Sequence, residues 1–230
     1  MQKSPRSTRS YCLIGGLAGI VGVILLGLSF AINVGPPENA SSAELVKFGQ
    51  ENYAHILWGA WMQAVGPVLI ILFALCLVHL AGAAERLAGW MTLFGATVLM
   101  TVSLIEITFY MSALHADPEV MPFISLKLIS AVQHLYFMIA APALFFPLGI
   151  VLLGSPVLPR LFGYLALLLA VLFEALGVIF LLTLTLPAAV TAVAGIQALW
   201  WLAAAITLVV QSRKLDRRLA PVSSCELECL

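Results

Sequence analysis

Apolar residues in this chain come in long unbroken blocks, not at the every-third-or-fourth spacing of a helix with one wet face. Windows of about 20 apolar residues, enough to cross a hydrocarbon core of about 30 Å, fall at 11–34, 54–80, 88–113, 124–153, 161–185 and 188–210. None alternates with period two. In lipid every backbone N–H and C=O must be satisfied internally, so such blocks predict helices rather than barrel strands. The expected fold is all-α: a polytopic six-helix transmembrane bundle forming one domain, with residues 211–230 as a polar tail. The second and fourth blocks are longer than a span requires, which predicts tilt or projecting ends.

Breaks between the blocks add detail. Gly35-Pro36-Pro37 stops the first helix, since proline lacks an N–H and restricts its predecessor. The Ser41-Ser42-Ala43-Glu44 run then carries a capping pattern, predicting a short surface helix through Leu45 and Phe48. Pro118 interrupts an acidic loop at Asp117 and Glu119. Between the last two blocks only Pro187 and its neighbours intervene, so these helices should be antiparallel neighbours.

Composition agrees with a membrane class. The 230 residues are 62% apolar and 10% charged, with a mean hydropathy of +1.08, against roughly 45–50% apolar and about 25% charged for soluble domains. A net charge of zero argues against a nucleic-acid partner. Running the first helix from inside to outside puts Lys3, Arg6, Arg9, Arg86, Arg160, Arg213, Lys214, Arg217 and Arg218 on one side and leaves Lys47 and Lys127 on the other. The positive-inside rule then expects both termini in the cytoplasm. The basic n-region also suits a signal peptide cleaved near Ser29-Phe30-Ala31. However, the apolar core from Cys12 to Val34 exceeds the usual h-region of about 7–15 residues, so a retained helix is expected.

Ionisable residues inside the blocks mark the chemistry, because a charge in mid-bilayer is costly and is a functional-site hypothesis by default. Glu106, His134 and Glu174 are such residues, and Gln63 and Gln197 accompany them. Counted inward from the outer boundaries at 1.5 Å per residue, all five lie roughly 12–18 Å deep. They are expected to form one polar pocket. Two carboxylates and an imidazole are candidate zinc ligands and equally candidate proton-relay groups; a purely structural hydrogen-bonded layer is the third reading. His55, Trp58, Tyr110, His115 and Lys127 are candidates for an outer vestibule, although aromatic belts and snorkelling cations occupy the same depth without function.

The remaining features narrow the classes. Serine-hydrolase, zincin, Walker and dinucleotide motifs do not occur. Haem is not expected, since only His134 is deep and His79 lies near the inner end of its helix. Cys12, Cys76, Cys225 and Cys229 all fall at or beyond the inner face, which argues against external disulfides. Partners are expected to be membrane lipid and, through the small Gly15-x-x-x-Gly19 face, a helix of this chain or of a second protomer.

The run Phe145-Phe146-Pro147-Leu148-Gly149, followed by Leu158-Pro159-Arg160-Leu161-Phe162-Gly163-Tyr164, resembles the penultimate hairpin of small bacterial six-helix membrane proteins grouped only as a domain of unknown function. Leu104-Ile105-Glu106 is similar to the glutamate-bearing third helix of that group. The resemblance implies six helices and a bacterial inner membrane, but no catalytic residues. It departs at the long outer loop and at His134. Three readings stay open: a transporter-like protein with a mid-membrane pocket, a metal-assisted intramembrane hydrolase or lipid-modifying enzyme, and an accessory subunit of a membrane complex.

Overall fold

The computed structural model describes residues 5–33, 41–115, 128–129, 131–183 and 188–219, and those residues contain helices but no strand. The helices are α1 (Pro5–Ile32), α2 (Ser42–Glu51), α3 (Tyr53–Leu80), α4 (Leu87–His115), α5 (Ala131–Leu153), α6 (Arg160–Thr183) and α7 (Ala188–Leu219). All but α2 are long and apolar enough to cross a membrane, so the described residues form an all-α, multi-pass membrane protein with six spanning helices. The last helix continues past the expected end at 210 to Leu219. The switch to charged residues there ends the apolar block without ending the helix, because Lys, Leu and Arg are good helix formers.

Large apolar side chains cover the outside: Leu87, Phe94, Leu182 and Leu199 are each at least 67% exposed. Water would penalise that surface, whereas lipid tails do not. Polar residues on it are internally satisfied, with the Thr97, Thr101 and Thr108 hydroxyls donating to carbonyls one turn back at 3.0, 2.9 and 2.8 Å.

With no water to expel, the helices are held by close packing. Helix α1 lies against α3 and α7, and its glycines set the approach. A Cβ on Gly19 would stand 2.8 Å from Ala205 Cβ and 2.9 Å from the Phe73 ring, and one on Gly22 would stand 2.8 Å from the Gly66 carbonyl. Gly15 sits equally close to Cys76. The small-residue face of α1 is thus packed within its own chain. Helix α4 meets α5 in the same way at Gly95, against the backbone of Ala143 and Leu144.

The turn from α3 to α4 is built by Gly82, whose φ of +62° suits only a residue without a Cβ penalty. Its N–H donates to the His79 carbonyl and the next N–H, of Ala83, to that of Val78, both at 3.1 Å. This is a Schellman cap, completed by apolar contact between Val78 and Ala83. At the other end of the bundle, Ser41 caps α2. The Glu44 N–H donates to the Ser41 Oγ at 3.4 Å, and the Ser41 N–H and hydroxyl donate to the Glu44 carboxylate, each at 2.8 Å. These bonds, the backbone one foremost, hold the Glu44 carboxyl below the usual carboxylate range.

Helix α5 is irregular. Tyr136–Ala140 form a π-helical turn in which the Ala141 N–H reaches back to the Tyr136 carbonyl, and Pro142 follows directly. A proline removes one backbone donor and crowds the preceding turn, and a wider turn relieves that crowding. Below it Phe73, Phe145, Phe173 and Trp201 are fully buried in one aromatic core, with Phe145 and Trp201 centroids 5.1 Å apart. Trp200 closes this core, its indole N–H donating to the Phe162 carbonyl at 3.1 Å.

Candidate functional site

Above the aromatic core a polar cluster bridges α3, α4, α5 and α7. Glu106 on α4 is its centre. Gln133 on α5 donates from Nε2 to Glu106 Oε1 at 3.0 Å, and Gln63 on α3, 5% exposed, donates to the same carboxylate. Tyr110, one turn further along α4, and Tyr136 lie within reach of the Glu106 charge. The Tyr136 hydroxyl donates to Gln197 Oε1 on α7 at 2.7 Å, and Gln197 is itself 7% exposed. The Tyr136 ring stands edge-on to Phe173 with centroids 5.9 Å apart, so the aromatic core fixes the phenol from below.

Helix geometry explains the convergence. Gln63 shares a face of α3 with the buried Ala60 and Pro67, at spacings of three and four residues. On α5 the π turn lies between Gln133 and the packed segment below, and so sets the direction in which Gln133 points. Amide and phenol donors around one carboxyl can hold a charge without a metal and can also orient a small polar ligand.

Glu106 and Gln63 lie together, and the Tyr136–Gln197 pair lies within reach of the same charge, but Glu174 does not join them. On α6 the buried positions Ala166, Leu169, Ala170, Phe173 and Leu176 follow the helical repeat, and Glu174, one step from Phe173, points outward. It lines a surface groove with Pro142 and Phe146. The candidate zinc ligands Glu106, His134 and Glu174 are not brought together, and among the described residues no three His, Cys, Asp or Glu side chains come together as metal ligands. His134 is half-buried beside Gln133, and it is Gln133 that reaches the carboxylate.

Of the expected vestibule residues, Tyr110 joins the cluster. His55 is exposed, and Trp58 is 58% exposed and stacked edge-on against Trp61 at 5.9 Å, on the lipid-facing side of α3. The side chain of His115 and all of Lys127 lie outside the described residues. Gln133 and Tyr136 are the members that sequence reasoning missed. A glutamine inside an apolar block was the available signal for the first, overshadowed by the adjacent histidine. For the second the signal was a tyrosine too deep for the interfacial belt. In comparisons with known proteins, no family model, no curated protein and no solved structure matches this chain.

Proposed function

We propose that this chain is a transporter-like membrane protein of the bacterial inner membrane, with both termini cytoplasmic, whose Glu106 carboxyl binds a proton or a small polar solute. The observation that carries this reading is the hydrogen-bonding of one intramembrane carboxylate by amides from two other helices, Gln63 and Gln133. Buried ionisable groups of this sort mark ion and substrate pathways in membrane bundles. The π turn beside the cluster supports the same reading, because π turns concentrate at functional sites and permit local rearrangement.

Substituted-cysteine labelling tests the proposal. In a chain whose four native cysteines are replaced by alanine, Gln63→Cys and Gln197→Cys should react with a charged, membrane-impermeant thiol reagent supplied from the aqueous phase, whereas Phe173→Cys in the packed core should not. Labelling of neither cluster position from either side would mean that water and solutes never reach the cluster, and would refute transport.

A second reading has its own observation. Glu106 and Glu174 face different surfaces, the first satisfied inside the bundle and the second on the outside, which suits an accessory subunit that uses its exterior to contact a partner. Absence of labelling would leave that reading standing.

A further inference from the structure

Glu174 occupies an unusual place for a carboxylate. It is exposed on the flank of α6, inside the span Arg160–Ile179 and roughly 21 Å along the helix from Arg160 at 1.5 Å per residue. Lipid headgroups at that end are therefore far away, while the other end of the span, at Ile179, lies about 7.5 Å further along. The groove around it, of about 430 Å³, is walled by Pro142 and Phe146 of α5 and by Ala170, Val171, Ala175 and Val178 of α6. Those side chains are hydrocarbon and donate no hydrogen bond, and Pro142 lacks even a backbone N–H. Among the described residues Glu174 has neither an ion pair nor a hydrogen bond. A cation occupying the groove would supply the partner that the walls do not.

From this arrangement we infer that the Glu174 groove is a binding site for a lipophilic organic cation that enters from the lipid phase. The volume falls in the range of drug-sized ligand pockets, about 300–1,000 Å³. The apolar walls match a hydrophobic body, and the carboxylate matches a single positive charge. Phe146, 50% exposed and lining the same groove, offers an aromatic surface beside the carboxylate, the pairing that recognises substituted ammonium and phosphonium groups. A second copy fits less well, because a two-fold contact at this groove would bring one Glu174 towards another with no cation between them. The site is separate from the Glu106 cluster and does not depend on its function.

Equilibrium binding of radiolabelled tetraphenylphosphonium to the full chain in lipid nanodiscs tests the inference, with empty nanodiscs subtracted for partition into lipid. Wild type should bind saturably at one site per chain. Glu174→Gln should weaken binding about tenfold or more, Glu174→Asp should retain part of it, and Phe146→Leu should weaken it by a few fold. Gly27→Ala, where the added Cβ meets nothing within 4 Å, should bind as wild type does. Non-saturable uptake, or equal binding by wild type and a folded Glu174→Gln, overturns the site. Loss in Glu106→Gln instead would move the cation into the interior cluster. Disulfide cross-linking of Ala175→Cys between two copies would identify the occupant as a second protomer and likewise refute the proposal.

Discussion

Removing the acceptor at Glu106 tests the central cluster most directly. In Glu106→Ala the amides of Gln63 and Gln133 lose their shared acceptor. Gln63 is buried, so its amide is left without its acceptor. Interhelical hydrogen bonds inside membranes are worth about 0.6 kcal/mol on average and up to about 1.7, so two lost bonds predict a destabilisation of about 1–3.5 kcal/mol. Glu106→Gln keeps the shape and one acceptor oxygen. Its new NH₂ would face a donor, but a glutamine amide turned end for end offers its oxygen instead, so a flip at Gln63 restores both bonds. The expected loss is then below about 1 kcal/mol, chiefly the charge assistance. Reversible unfolding in mixed micelles, followed as a function of the SDS fraction, measures both variants. Two results would refute the reasoning: an Ala variant as stable as wild type, or a Gln variant as unstable as the Ala variant. The first would mean the amides find other partners; the second would mean the carboxylate charge itself holds the helices.

Two further predictions concern packing and the surface helix. Gly95→Ala would place a Cβ 2.6 Å from the Leu144 nitrogen and closer still to the Ala143 carbonyl, so α4 and α5 must separate at a cost of about 1–3 kcal/mol; Gly27→Ala, with nothing within 4 Å, should be neutral or stabilising in the same micelle titration. The Glu44 carboxyl titrates below its ordinary value of 4.5 when α2 is folded, so its contribution is present above that value and disappears as pH falls through the lower folded value; amide protection factors of 42–51, corrected for the intrinsic exchange rate at each pH, should fall on acidification in wild type and already be low at neutral pH in Ser41→Ala.

The spans were legible because hydropathy and length alone specify a membrane crossing. The surface helix α2 was legible from four residues, since the Ser41 and Glu44 pair carries its own hydrogen-bonding logic. Helix phase was not legible. In a soluble protein the polar face of α6 would reveal which way Glu174 points, but here both the lipid and the interior accept leucine and valine, so Phe173 and Glu174 look equally internal until the neighbours are placed. The same ambiguity favoured His134 over Gln133. The π turn defeats a strict 3.6-residue count, and groups on its two sides cannot be phased from one another by sequence spacing.

That turn between Tyr136 and Ala140 also governs how this chain can change over evolutionary time. A π turn is an α-helix carrying one surplus residue, and each residue corresponds to about 100° of rotation. Losing a single residue there would restore a regular helix and leave the packed segment Ala141–Leu153 against α4 and α6 undisturbed. Everything before the turn would swing round by about a quarter of a circle, withdrawing Gln133 from Glu106 and presenting a different side chain in its place. A one-codon deletion could thus exchange the group that faces Glu106 while sparing the scaffold, a change that point substitution does not offer.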